Sequence, residues 1–250
     1  MLTLLVYVHW SHYRTFKHDY REYVTGHLRP YLPRLVGSQR FVELMPRALV
    51  PLCGYLSTRK GRRTGIAFID STPLAVCDNH RMATPKGCAG LAMRGQTALG
   101  WFFGFKRPRI VKDEGALLAF RLPPGHVDAR QPVARLAAGL RGQLCGDRGY
   151  SSQAFHDVLR SHGLTLLTNI RRHMNNRMRR LGDKLLLRQR ALIETSNDQL
   201  KNMSQIEHTR HRRMPGFMVN LVAALGAYSF RPKKPSLGIR RDPLVPMLVV

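Results

Sequence analysis

The sequence predicts a mixed α/β sheet with helices on both faces, preceded by a helical N-terminal region. Three observations carry that expectation. Apolar runs bounded by turn residues recur from Gly65 onward, where the first 60 residues have instead shown helical spacing. A turn signal at Lys112-Asp-Glu-Gly115 joins two of those runs as a hairpin. After the hairpin, strand-like and helix-like segments alternate, the pattern of a sheet covered on both sides.

In the N-terminal region, Phe16, Tyr20 and Tyr23 fall at spacings of four and three, one face of a helix and a core surface. Ser38 is placed to cap a second helix, which Pro46 and Pro51 should break into short pieces. A basic connector, Thr58-Arg-Lys-Gly-Arg-Arg-Thr64, marks the change of character.

Beyond it, strands are expected at Ile66–Asp70, Trp101–Lys106 and Ala116–Leu122, the last closed by Pro123-Pro124-Gly125. Asp128 should cap a helix running to about Leu140. A fourth strand spans Gln143–Asp147, a helix capped by Ser151 or Ser152 stops at Gly163, and a fifth strand spans Leu164–Ile170. A long helix is expected from Lys184 to Met203 and a last, apolar one from Phe217 to Tyr228. The order β-β-β-α-β-α-β-α is that of the ribonuclease-H-like fold. The expected division is therefore a helical region at 1–60, a ribonuclease-H-like domain at 65–230 and a flexible tail at 231–250. One residue sits badly: Pro108 falls where strand two would be paired, and should leave a neighbouring carbonyl without its donor.

Among 250 residues, 41 are Lys or Arg and 15 are Asp or Glu, a net charge of +26. Such a surplus points to a polyanionic partner, with nucleic acid first. The basic residues are spread through structured segments, which disfavours an acidic membrane surface. With 44% hydrophobic residues the chain can bury a core. Four cysteines without a C-x-x-C pair read as reduced thiols of a cytoplasmic protein, not as a disulfide framework. A zinc site from Cys77, His80 and Cys88 has no standard spacing. Neither apolar stretch, Met1 to Val8 or Phe217 to Phe230, is long enough to span a membrane.

Acids are scarce, so their placement is informative. Asp70 ends one strand and Asp147 another, and Glu194 lies in the long helix. With the fourth strand beside the first, Asp70 and Asp147 would meet at one sheet edge, and the helix could bring Glu194 to them. Phosphodiester chemistry with two divalent ions needs such a set of hard oxygen ligands. Asp70 would bridge the ions, with Asp147 and Glu194 completing either side. Mg²⁺ is the expected ion, with Mn²⁺ as an alternative. On a helix of about 100° per residue, Arg190, Glu194 and Lys201 share roughly 60° of one face. That suits a site holding metal and phosphate together. It equally suits an i,i+4 charge pair on a solvated face.

The spacing Arg-x₃-Glu-x₆-Lys is similar to the last part of the DDE transposase signature. The segments Phe68-Ile-Asp-Ser-Thr-Pro-Leu, Gly100-Trp-Phe-Phe-Gly-Phe-Lys106, Pro124 to Pro132, Gly146-Asp-Arg-Gly-Tyr150 and Glu194 to Arg212 resemble the insertion sequence 982 family of bacterial transposases. The likeness runs from about Tyr13 to Leu237. It implies that Asp70, Asp147 and Glu194 are the catalytic and metal-binding acids, with Arg190 and Lys201 as the basic signature positions. It further implies an enzyme that cuts and joins double-stranded DNA at element ends and target, working as a homo-oligomer on DNA. Three departures stand out. The chain begins partway into the family pattern, Arg107-Pro108-Arg109 replaces an aliphatic, His-containing stretch, and Leu187 stands where a tyrosine is expected.

Further DNA contacts are expected from Arg148 and Tyr150 beside Asp147, and from Arg171, Arg172, Arg179 and Arg180 in the basic run after strand five. For Tyr150, core packing is the competing reading. For the arginines it is a solvated loop. Two other functions fit parts of the pattern: a ribonuclease-H-like nuclease without strand joining, and a DNA-binding remnant without catalysis.

Overall fold

The computed structural model describes residues 1–11, 13, 15–77, 88, 90–98, 100–169, 181–207 and 213–238. Along the chain these form α1 (Leu2–Val8), α2 (Phe16–Asp19), a π-helical stretch (Tyr20–Leu28), α3 (Ser38–Leu44) and α4 (Leu49–Thr58). Then come β1 (Ile66–Cys77), β2 (Met93–Thr97), β3 (Gly100–Lys112), β4 (Leu117–Phe120), α5 (Gln131–Leu136), β5 (Gly142–Gly146), α6 (Gln153–Ser161) and β6 (Leu164–Thr168). The chain continues through α7 (Leu181–Arg188), α8 (Ala191–Asp198), a π-helical stretch (Gln199–Met203) and α9 (Met214–Ser229).

Two compact units result. The first comprises residues 1–59, 80–91 and 198–232, the second 60–79, 92–197 and 233–250. The division is not sequential, so α9 packs with the N-terminal helices and falls outside the unit that holds the sheet.

In the first unit, α9 is buried from Phe217 to Tyr228 on nearly every face, as its unbroken apolar composition requires. Its neighbours are α1 and α4. Trp10 Nε1 donates to the Ala227 carbonyl at 3.0 Å, and His9 Nδ1 meets the Ser204 carbonyl at 2.8 Å. The rings of Phe16, Tyr20 and Phe41 form a cluster with centroids 5.1–5.3 Å apart. The aromatic face read from the sequence is thus a core surface, although its helix turns π-helical after one α turn. Gly37, not Ser38, occupies the N-cap position of α3.

The second unit is built on a mixed sheet of strand order β2-β3-β1-β5-β6, with β4 also on β3. β3 lies antiparallel to β1, while β5 runs parallel to both β1 and β6. Strand alternation sorts the side chains into two cores. Ala67, Ile69, Ile110, Leu144, Leu164 and Leu166 face α5 and α6, burying Val133, Leu136, Phe155 and Leu159. Phe68, Val111, Cys145 and Leu167 face the other way and pack against Leu187 of α7 and Leu192 and Ile193 of α8.

Several expected boundaries move. β1 continues to Cys77 and β3 to Lys112, and polar β2 (Met-Arg-Gly-Gln-Thr) is an additional strand. The helix expected from Asp128 to Leu140 is reduced to α5, because the chain turns after Leu136, with Gly139 at φ +73°. Asp128 does not cap it. Its Oδ1 accepts from the Arg130 N–H two residues on, at 2.9 Å, and the carboxylate pairs with the Arg130 guanidinium. That is an Asx turn, and Arg130 holds the N-cap position. The long helix expected at 184–203 breaks between Arg188 and Ala191 and turns π-helical at Gln199. Part of the expected flexible tail is docked: the Leu237 N–H donates to the Asp113 carbonyl at 2.9 Å, and its side chain packs on the α8 side of the sheet.

Beyond β4 the chain keeps following β3. The Arg121 N–H donates to the Pro108 carbonyl, the Lys106 N–H to the Pro123 carbonyl and the Gly125 N–H to the Gly104 carbonyl, at 2.9–3.0 Å. β2 then takes over along Gly100–Gly104. Gly125 allows this junction, since a Cβ there would stand 2.5 Å from the Met93 carbonyl oxygen. Pro108 is accommodated by the same pattern. In an antiparallel ladder the N and C=O of one residue face the same neighbour, so the proline nitrogen faces Arg121, away from β1. The group it leaves unserved is the carbonyl of Arg121, an exposed residue that water can reach. The expected damage to the β1 ladder does not occur.

Candidate active site

β1 and β5 are parallel neighbours, with Phe68 opposite Cys145. Two residues further along each chain stand Asp70 and Asp147. β5 ends at Gly146 while β1 continues, so Asp70 is held within a strand and Asp147 opens a loop. Asp147 Oδ1 accepts the Arg148 N–H at 2.6 Å, which fixes the short 3₁₀ turn Arg148–Tyr150.

The third acid arrives on α8. Arg190, directly before that helix, donates from Nη1 to Asp147 Oδ1 at 2.9 Å and from Nη2 to Glu194 Oε1 at 3.1 Å. One turn past Glu194, Asn197 donates from Nδ2 to Asp70 Oδ2. Asp147 and Glu194 are therefore joined through one guanidinium, and Asp70 is tied through one amide to the helix that carries Glu194. The side chains of Asp147 and Glu194 are 53% and 60% exposed, open to a ligand from solvent.

Beneath them lies a buried basic layer that reading the sequence did not assign to the site. Arg109 on β3 faces Asp70 on β1, and Arg107 faces Thr72. Both arginines are 1% exposed. Arg109 Nη2 donates to the Ile193 carbonyl of α8 at 3.0 Å, and Arg107 Nη2 to Thr72 Oγ1 at 3.0 Å. Arg107-Pro108-Arg109, read from the sequence as an interruption, is regular strand with both arginines on the acid face. Their i,i+2 spacing was the signal available. For Asn197 it was the i+3 position after Glu194.

The surroundings set two further groups. Burial pushes the Cys145 thiol up to about 12, Asp183 adding to the rise and Arg190 opposing it, so it stays a neutral thiol. Burial, then the charges of Asp70 and Asp147, push the Tyr150 hydroxyl well above its usual range. Tyr150 is 4% exposed, in the core on the α6 side. Its ring is a packing element and offers no face for stacking on a base.

Of the other expected DNA contacts, Arg148 is exposed beside Asp147. Lys201 belongs to the first unit, where its Nζ pairs with Glu207 Oε1 at 3.1 Å. The π-helical turn from Gln199 alters the angular step on which its expected alignment with Glu194 depended. Arg171, Arg172, Arg179 and Arg180, and His80 of the imagined zinc set, lie outside the described residues.

The oxygen donors of Asp70, Asp147 and Glu194 are of the type that hard divalent ions take. Among the described residues, no three His, Cys, Asp or Glu side chains are gathered closely enough to enclose an ion. Instead the Arg190 guanidinium already serves as one cation shared by two of the three acids. The donor set fits a divalent metal in the chemistry of its oxygens.

A family model described as "Transposase DDE domain" matches residues 60–214. No curated protein matches the chain. Among solved structures, it is similar to the piggyBac transposase of a synaptic complex with hairpin DNA, with a TM-score of 0.53 and 12% identity. The alignment covers 92% of this chain and 63% of the other, so the chain spans less than two thirds of that transposase. At this identity the likeness concerns the fold.

Proposed function

Since the chain belongs to the DDE transposase domain family, we propose that it is a DNA transposase that cuts double-stranded DNA at element ends and joins the freed 3′-hydroxyl to target DNA. The observation that carries the proposal is the parallel pairing of β1, which holds Asp70, with β5, which leads into Asp147, together with Glu194 tied to Asp147 through Arg190. Strand order and strand directions support a ribonuclease-H-like reading of the sheet. The quoted sequence segments support the insertion sequence 982 family.

In this reading Asp70, Asp147 and Glu194 hold two divalent ions, Mg²⁺ or Mn²⁺. When bound, these supply an activated attacking oxygen and charge neutralisation at the leaving one. The chain's own part is preorganisation. Asp70 is fixed in a strand, and Asn197 holds one of its oxygens. Arg190 keeps Asp147 and Glu194 side by side despite their like charge, and its planar guanidinium is of the kind that takes a DNA phosphate. Arg148 is placed to take a phosphate beside Asp147, and the surplus of +26 supplies non-specific attraction along the duplex. Lys201, the arginines at 171, 172, 179 and 180, and the N-terminal region are proposed as further DNA contacts, with the enzyme acting in the cytoplasm as a homo-oligomer on DNA. Among the described residues, no helix is long and apolar enough to cross a membrane.

The test is cleavage of DNA carrying the element's terminal repeats, with Mg²⁺, by the parent, Asp70→Asn and Glu194→Gln. Amide replacement keeps shape and removes the charge that binds the ion. Both variants should lose cleavage and keep DNA binding, and undiminished cleavage by either would reject the mechanism. Cleavage by the parent with no joined product would instead identify a nuclease.

A further inference from the structure

Asn197 is an amide where an apolar residue would be cheaper. It is 6% exposed on α8, between Ser196, which is also buried, and Asp198. Its Oδ1 has no hydrogen-bond partner, and burying an unsatisfied carbonyl costs stability. What the amide does make is the bond from Nδ2 to Asp70 Oδ2. The helix that carries it is itself pinned, because buried Arg109 donates to the Ile193 carbonyl one turn earlier. Asn197 therefore reaches Asp70 from a fixed distance.

We infer that Asn197 is the positioning residue for Asp70: by occupying one carboxylate oxygen, it sets the rotamer and turns the other oxygen toward the divalent ion. This rests on the transposase reading above and adds a role that neither the Arg-x₃-Glu-x₆-Lys spacing nor the acids themselves supply. Its effect is on ion affinity. An Asp70 that is already ordered gives up little conformational freedom when metal arrives.

The experiment is Mn²⁺ titration of the intact chain by calorimetry, alongside Mn²⁺-dependent cleavage, for the parent, Asn197→Ala and Asn197→Leu. Thermal unfolding establishes that each variant is folded. Leu restores the bulk that Ala removes but has no N–H. A space-filling role predicts that Leu recovers what Ala loses. The positioning role predicts that both variants bind Mn²⁺ up to roughly ten-fold more weakly, the scale of the cost of ordering one side chain, and need correspondingly more Mn²⁺ for half-maximal cleavage. Parent-like Mn²⁺ affinity in the folded Leu variant overturns the inference. If Ala fails to fold, the Leu variant alone decides. A parent that binds no Mn²⁺ would instead sink the metal-dependent reading, and the role of Asn197 with it, so the two failures are told apart by the parent's titration.

Discussion

Asp70 on β1 lies directly across the antiparallel pair from Arg109 on β3. A half-buried carboxylate and a guanidinium that is 1% exposed thus rise on one face of the sheet, and the same guanidinium reaches the helix that carries Glu194. Arg109 is the point at which two strands and a helix of the site are joined.

Arg109→Leu should therefore lower stability by about 2–3 kcal/mol, the scale of a lost hydrogen bond from a charged group. In a chain of this size that is a fall in melting temperature of roughly 4–12 °C. Arg109→Lys should recover little of it, since an ammonium does not reproduce the planar fork. Thermal unfolding followed by circular dichroism checks both, and a Lys variant as stable as the parent would show that only the charge matters.

Pro108 should be nearly neutral. Replacing it with Val restores an N–H that can serve the Arg121 carbonyl, worth about 0.5–1.5 kcal/mol. It also frees the unfolded chain, at a cost of about 0.4–1 kcal/mol. The expected net change is under about 1 kcal/mol. A rise of many degrees in melting temperature would mean that the proline distorts β3 after all.

Asp128 links stability to acid. Its hydrogen bond from Arg130, foremost, holds the carboxyl down to about 2. A folded-state value below the unfolded one gives stability that is present above about pH 4, the usual carboxylate value, and is lost as pH falls from there through about 2. The side chain is 42% exposed, so solvent screening leaves a contribution of under about 1 kcal/mol. Asp128→Asn should flatten the acid limb of the stability profile between those pH values and change little at pH 7. Urea unfolding at intervals of half a pH unit would detect it.

The salt dependence of DNA binding tests the basic run at 171–180. If Arg171, Arg172, Arg179 and Arg180 each neutralise one phosphate, replacing all four with Ser should reduce the slope of log affinity against log salt by about 3.6. Fluorescence anisotropy with a labelled duplex measures the slope. No change would mark the run as a solvated segment.

What could be read from the sequence, and what could not, follows from how each signal is written. The positions of Asp70 in β1 and of Asp147 just past β5 were legible because each follows an apolar run, and burial of the run fixes where the acid emerges. The Arg190–Glu194 pair was legible from i,i+4 spacing and is present as an ion pair. Lys201 was placed by assuming a uniform helical step from Arg190 onward. The helix breaks before Ala191 and changes pitch at Gln199, and neither event has a proline or glycine to announce it. β2 escaped notice because Met93–Thr97 has no apolar alternation. It is held by backbone bonds to β3, which any sequence can make. The stretch Arg107-Pro108-Arg109 was read for its proline, which lacks the N–H that a strand interior needs, and not for its charge. Its sense appears only when Thr72 and Asp70 are seen across from it.

One feature of the sheet bears on how copies of the protein can associate. β3 is lined along its outer side by β4, by residues 121–125 and by β2 in succession. β3 itself is thus closed, and the open edge on this side passes to the short strands β2 and β4, which among the described residues pair with β3 alone. Strand addition, the route by which sheet proteins aggregate or recruit partners, is therefore limited here to edges of five and four residues.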